Sequence, residues 1–247
     1  MTNDKRSVTA FITGASSGIG LEFTKQYAAK GWIVIAAHRH DSTPRSLAIA
    51  ATQSSRIHPV TMDVTVESQV RALARELVGV PIDLLINNAA VAYDENLSLQ
   101  TQDFGRLSFS LFDKIFATNV KGPLLVTEAL HGNLKAGTGK KVVCMSSTNG
   151  SLTEPLSGSL GTFYRASKAA LNRAMLNVAE AVRGDDISVV LLHPGAVLTE
   201  KNLQFGKTYP GMISTEFSVS QMIGTISKLG MRDTGRFLRY DGETVPW

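Results

Sequence analysis

The sequence predicts an α/β protein: a doubly wound parallel sheet with helices on both faces. Three features carry that expectation. Short apolar runs alternate with longer stretches of helical spacing. The runs are continuously apolar rather than alternating, as strands buried on both faces require. A glycine-rich turn joins the first run to the first helical stretch, where doubly wound folds receive ligands.

Taken in order, residues 8–13 read as a buried first strand. Residues 21–30 read as a helix with Leu21, Phe23, Tyr27 and Ala28 among polar positions, and Gly31 stops it. Apolar runs at 32–37, 57–62 and 82–86 give strands two to four. Between the last two, Val66, Val70, Leu73 and Leu77 mark a helix over 66–78. Residues 112–134 form a long helical stretch, bent near Gly122-Pro123 because proline cannot donate to the preceding turn. A fifth strand is expected at 141–145, an alanine-rich helix at 163–182 and a sixth strand at 188–192. Each crossover should be right-handed. Residues 41–56, 93–110, 151–162 and 199–214 lack a regular pattern and are read as loops.

The chain has 247 residues, 43% hydrophobic and 19% charged, which excludes disordered and collagen-like classes. With no repeat and no linker it is read as one domain over 1–247. Cys144 is the only cysteine, so an internal disulfide is impossible and a reducing, cytoplasmic compartment is expected. The net charge of +4 suggests an acidic partner, but the densest basic groups, Lys5-Arg6 and Lys140-Lys141, are only pairs. Nucleic-acid binding needs a clustered stripe with stacking aromatics, and none is expected here. No apolar run reaches the ~18 residues of a membrane helix. Neither terminus carries a targeting or lipidation signal.

The first strand runs into Thr13-Gly14-Ala15-Ser16-Ser17-Gly18-Ile19-Gly20, and a helix follows. Glycines at 14, 18 and 20 permit a tight turn and let a pyrophosphate approach the backbone. The helix start then offers free N–H groups and a positive dipole end. The spacing differs from the common G-x-G-x-x-G. T-G-x-x-x-G-x-G resembles the glycine motif of the short-chain dehydrogenase/reductase family. That resemblance implies a Rossmann-type sheet of about seven strands in the order 3-2-1-4-5-6-7.

Folds of this kind often end strand two on an acidic residue that binds the ribose 2′-hydroxyl. Here the strand ends Ala36-Ala37-His38-Arg39-His40, and the resemblance puts His38 at that place. A guanidinium at Arg39 binds a 2′-phosphate through paired hydrogen bonds, whereas a carboxylate would repel it. NADPH/NADP+ is therefore predicted over NADH. Ser16 and Ser17 add hydroxyl donors for the same phosphates. His38 and His40 are read as solvated, and the five histidines show no metal-ligand spacing. Asp63-Val64 resembles the family's adenine contact, although Asp63 also suits a helix cap before Glu67. Asn87-Asn88-Ala89-Ala90 resembles the Asn-Asn-Ala-Gly segment, with Ala90 in the place of glycine.

Tyr164-Arg-Ala-Ser-Lys168 sets a phenol and an ammonium four residues apart, on one helix face. A nearby cation lowers a tyrosine pKa and makes the phenol a usable acid or base. Ser146-Ser147 ends strand five, and the resemblance makes Ser147 the active serine. Asn119 in Ala117-Thr-Asn-Val120 matches the family's Asn-Val position. His193-Pro194-Gly195-Ala196-Val197-Leu198-Thr199 resembles the Pro-Gly loop near the nicotinamide, which adds Pro194, Gly195, Val197 and Thr199 to the cofactor contacts. The resemblance implies the following roles. Tyr164 gives a proton to a carbonyl oxygen, and Ser147 orients that oxygen. Lys168 lowers the tyrosine pKa and holds the nicotinamide ribose, so Tyr164 and Lys168 count as cofactor contacts too. Asn119 positions a water leading from Lys168 to solvent. A small-molecule carbonyl or alcohol substrate and a homodimer or homotetramer are also implied.

Tyr164 lies seventeen residues after Ser147, longer than is common in the family. The longer loop leaves Ser146 as an alternative, with Thr153 or Ser157 more remote. Within the family, Tyr164 to Asn172, Gly150-Ser151 and the ending from Gly235 to Trp247 are similar to the group of the bacterial C-factor and the insect carbonyl reductase sniffer. Ala196 and Lys201-Asn202 depart from that group, so its substrates are not carried over. Phe237, Tyr240 and Trp247 suit either an interface or the chain's own core. The expected activity is NADPH-dependent carbonyl reduction. An NAD-linked alcohol dehydrogenase and a dinucleotide-binding signalling protein are the alternatives. Nothing around Ser147 suggests a hydrolase elbow.

Overall fold

In a computed structural model of the chain, the described residues are 7–93, 99–155, 161–204, 208 and 210–247. Seven parallel strands form the main sheet: β1 (Thr9–Thr13), β2 (Ile33–His38), β3 (Ile57–Thr61), β4 (Leu84–Asn87), β5 (Lys141–Met145), β6 (Ser188–His193) and β9 (Phe237–Arg239). Their order is β3-β2-β1-β4-β5-β6-β9. This is the expected 3-2-1-4-5-6-7 arrangement. Its seventh member carries the label β9 because a short parallel pair, β7 (Val197–Leu198) and β8 (Ile213–Ser214), intervenes.

Successive strand residues point to opposite faces, and two apolar layers result. Ala10, Ile12, Val34 and Ala36 pack against α1 (Gly18–Ala29), α2 (Arg45–Gln53) and α9 (Thr215–Lys228). Phe11, Ile35 and Ala37 pack against α3 (Glu67–Glu76), α5 (Gly122–Ala129) and α7 (Thr162–Ala181). Phe237 belongs to this second layer at 1% exposure, so it is a core residue and not an interface aromatic. At the opposite end of the sheet from the glycine turn, the buried Asp83 carboxylate accepts the Thr9, Thr138 and Gly139 N–H groups at 2.7–3.0 Å. It ties the start of β1 to the approach to β5.

Three regions differ from the sequence expectation. Helix α2 lies inside the expected 41–56 loop. It buries only Leu47 and the small Ala50, too thin an apolar stripe to stand out. The stretch 112–134 is α4 (Phe109–Phe116), a π turn at Ala117–Lys121, α5 and α6 (His131–Ala136), rather than one bent helix. The irregularity precedes Pro123, which sits harmlessly in the first turn of α5. Residues 199–214 contain α8 (Glu200–Gln204) and β8 rather than loop alone.

Candidate active site

The glycine turn is held by neutral groups. Thr13 Oγ1 accepts the N–H groups of Asn88 and Ala89 at 3.0 Å each. The Asn88 amide donates back to the carbonyls of Thr13 (2.9 Å) and Gly14 (3.2 Å). Gly14 has φ +65°, and a Cβ there would lie 2.9 Å from Ala89 Cα. A Cβ on Gly20 would meet the Gly14 carbonyl oxygen at 2.2 Å. The last glycine of the motif is thus required by the turn's own backbone. Ser17 is the N-cap of α1, yet its side chain makes no capping hydrogen bond. The first N–H groups of the helix lack that capping acceptor, the condition under which a helix start binds an anion.

A cavity of about 620 Å³ opens at this turn. Gly14, Ser16, Ser17, Gly18, Ile19, Gly20, Arg39, Asp63, Val64, Asn88, Ala89, Ala90 and Thr199 all line it. The tight cradle and the helix start without its cap suit the phosphates of a dinucleotide. His38, His40, Lys114, Thr118 and Glu200 line it as well and were not expected. His38 is 2% exposed, which corrects its reading as solvated. Asp63 does not cap α3, whose N-cap is Val66. Its carboxylate instead accepts the Thr65 N–H (2.8 Å) and hydroxyl (2.7 Å).

Beside the cavity, α7 and the end of β5 bring the chemical groups together. The Tyr164 phenol hydrogen-bonds Ser147, and burial of the phenol still holds its pKa above the usual value near 10. Lys168 is 2% exposed, lies 5.7 Å from the Tyr164 ring centre and donates to the Met145 carbonyl at 2.8 Å. Burial lowers its pKa to about 8. In the chain by itself, therefore, burial outweighs the lowering by the Ser147 hydrogen bond, and the expected lowering by Lys168 does not appear. Ser146 is set apart from this cluster. Its hydroxyl donates to Asn172 Oδ1 at 2.5 Å, which leaves Ser147 as the serine facing the phenol. Thr153 is tied to the Trp247 carbonyl, and Ser157 lies outside the described residues.

Asn119 lies in the π turn. Its amide accepts from Val91 N–H (2.8 Å) and donates to the Val91 carbonyl (2.8 Å) and Ser167 Oγ (3.0 Å). Both amide hydrogens are committed, so this side chain braces the π turn against Val91 and α7. Gln102 does a related job: it donates to the Ala92 carbonyl (2.7 Å) and accepts the Tyr164 N–H (3.0 Å). No motif marks it in the sequence. Pro194, Gly195 and Val197 fall outside the cavity wall. The Pro194 carbonyl accepts the Ser218 hydroxyl at 2.6 Å, and Val197 pairs with Ile213. Cys144 is fully buried, and its thiol is pushed up to about 12, as befits an inert core residue.

A cleft suited to phosphates at the carboxyl ends of parallel strands, flanked by a phenol and an ammonium on one helix, is the arrangement of dinucleotide-dependent oxidoreductases of the doubly wound class. Sequence comparison narrows the class. The family model for short chain dehydrogenases matches residues 8–217, and the chain belongs to that family of oxidoreductases. C-signal of Myxococcus xanthus is 34% identical over 72% of this chain and 100% of its own. The NADPH-bound carbonyl reductase from chicken fatty liver superposes with a TM-score of 0.87 at 27% identity, covering 98% of this chain and 100% of that one. The carbonyl reductase Sniffer of D. melanogaster does so at 0.85 and 25%, covering 98% and 100%. These similarities agree with the resemblance to the C-factor and sniffer group.

Proposed function

We propose that the chain is an NADPH-dependent reductase of a small ketone, aldehyde or quinone, acting as one dinucleotide-binding and catalytic domain. The observation that carries this reading is the Tyr164–Ser147 pair beside the buried Lys168, next to a cleft whose mouth holds Arg39 and no carboxylate on that strand end. NADPH, when bound, supplies the hydride. Arg39 holds the 2′-phosphate, and the start of α1 holds the pyrophosphate. Ser147 donates a hydrogen bond to the carbonyl oxygen and favours the charge that develops there. Tyr164 passes its proton to that oxygen. Its raised pKa keeps it protonated at neutral pH, which suits the reducing direction over alcohol oxidation. Lys168 supplies positive charge below about pH 8, where its ammonium persists.

The expected homodimer or homotetramer has support in an apolar groove that includes Phe116, Val120, Leu124 and Val182. Arg71 and Glu128 also line it, and they pair with each other within the chain at 3.2 Å. No helix among the described residues is long and apolar enough to cross a membrane. A cytoplasmic location remains part of this proposal.

NADPH consumption with a panel of ketones, aldehydes and quinones tests the activity. Turnover with at least one carbonyl class, faster with NADPH than NADH, is expected. A flat panel would favour a dinucleotide-binding signalling role.

A further inference from the structure

Helix α7, which carries Tyr164 and Lys168, begins without a cap of its own. Its N-cap is Gly161, which has φ +84° and no side chain to accept a hydrogen bond. The first N–H groups of a helix have no partner within it, and an N-cap side chain commonly serves the second or third. Tyr164 is the third residue of α7, the place that such a cap would serve. Its N–H goes instead to Gln102 Oε1 at 3.0 Å, on a residue 62 positions earlier. Gln102 ends a short 3₁₀ turn, Leu99–Gln102, and is 4% exposed.

The nitrogen of the same amide donates to the Ala92 carbonyl at 2.7 Å. Ala92 follows Val91, whose N–H and carbonyl are both held by Asn119 at 2.8 Å. Ala89, Ala90 and Val91 line the cavity at the glycine turn. One glutamine therefore spans from the end of that wall to the main chain of Tyr164. Both capacities of an amide are used, the acceptor towards Tyr164 and the donor towards Ala92.

The other members of the cluster are fixed by different contacts. Lys168 lies one turn further along α7 and donates to the Met145 carbonyl at 2.8 Å. A Cβ on Gly150 would lie 2.7 Å from the Lys168 carbonyl carbon, so the turn after Ser147 presses on the helix there. Within that turn Ser147 Oγ accepts the Asn149 N–H at 3.2 Å. Phe163 packs edge-on against Phe112, with ring centres 5.4 Å apart, and holds the helix start to α4 without satisfying any main-chain group. None of these contacts reaches the Tyr164 N–H, and helix ends fray. We propose that Gln102 is the positioning residue for the Tyr164 phenol: it caps α7 from outside the helix and keeps the phenol against Ser147. This rests on the reading of Tyr164 as the proton donor.

Gln102→Met keeps the length of the side chain and removes both hydrogen bonds. At saturating NADPH, kcat for carbonyl reduction is expected to fall about 10–10²-fold, the scale of a misplaced catalytic group. The NADP+ dissociation constant, read by calorimetry, should stay within a few-fold. In a Tyr164→Phe background the same substitution should cost nothing further, because no phenol is left to place. Ultraviolet titration of the coenzyme-free protein, with Tyr164→Phe as the blank, reads the phenol directly. Burial holds its pKa above the usual value near 10, and Gln102→Met should lower it toward that value as the first turn loosens. Gln102→Glu, whose carboxyl accepts the Tyr164 N–H in either protonation state, should lose less turnover than Gln102→Met. Unchanged kcat in Gln102→Met, an equal loss in the Tyr164→Phe background, an unmoved phenol titration, or a Gln102→Glu variant no better than Gln102→Met overturns the inference alone. Full turnover in Tyr164→Phe itself would overturn the proton-donor reading on which it rests.

Discussion

At the ends of β1 and β4 the site is held by neutral side chains bonded to main chain, whereas at β5 and on α7 it is held by side chains that titrate. The first wall depends on clearances such as the 2.2 Å that a Cβ on Gly20 would leave to the Gly14 carbonyl. It has little to adjust with pH apart from its histidines. The second wall depends on desolvation, which moves a phenol up and an ammonium down. Binding and chemistry should therefore separate when either wall is altered alone.

The sharpest cut is Tyr164→Phe, which removes one oxygen from the second wall and leaves the first intact. Carbonyl turnover is expected to fall about 10²–10⁴-fold, the range for a lost general acid. The dissociation constant for NADP+, measured by calorimetry, should stay within about twofold. Full turnover would end the assignment of the proton donor. A large loss of nucleotide affinity would show that the walls are not separable.

The paired serines sharpen the same division at neighbouring positions. Ser147→Ala should cost about 10²–10³ in kcat, as for a lost oxyanion donor. Ser146→Ala removes a hydrogen bond to Asn172 and should cost about 1 kcal/mol of stability, read from a denaturant midpoint, with turnover largely kept. The reverse result would exchange their roles.

The first wall was the more legible in the sequence, and these residues show why. Glycine spacing encodes backbone geometry directly, so Gly14, Gly18 and Gly20 announced the turn. Thirteen of the predicted cofactor residues line the cavity that the turn opens. Six of the parallel strands announced themselves as apolar runs, and the family resemblance implied their order. The second wall was legible only as residue types. Tyr164, Ser147 and Lys168 lie together in the structure, but their tuning depends on burial, which spacing does not report. His38 was misread for the same reason, since nothing in Ala36-Ala37-His38-Arg39 distinguishes a buried imidazole from a solvated one. Gln102 and α2 left too little pattern to see. Pro194, Gly195 and Val197 were placed by resemblance, and they lie outside the cavity wall.

Altering the first wall alone should give the converse phenotype of Tyr164→Phe. Gly20→Ala forces the turn apart from the helix start, an overpacking of the kind that costs about 1–3 kcal/mol. NADP+ affinity should fall about tenfold or more, while kcat at saturating NADPH stays within a few-fold. An unchanged dissociation constant would mean that the turn does not hold the nucleotide.

The smallest expected effect is a pH limb, and its sign discriminates between two groups on the second wall. Lys168 is held near pKa 8, and the phenol is held above its usual value near 10. If the charged lysine is needed, kcat/KM for reduction falls as pH rises through about 8, reaching about a tenth by pH 9. If the phenol alone sets the profile, reduction stays level past pH 9, because burial holds the Tyr164 pKa above its usual value near 10. Initial rates between pH 6 and 10.5, with the NADPH concentration varied, separate the two outcomes. A level profile past pH 9 would show that Lys168 acts through shape and hydrogen bonding to the Met145 carbonyl rather than through charge.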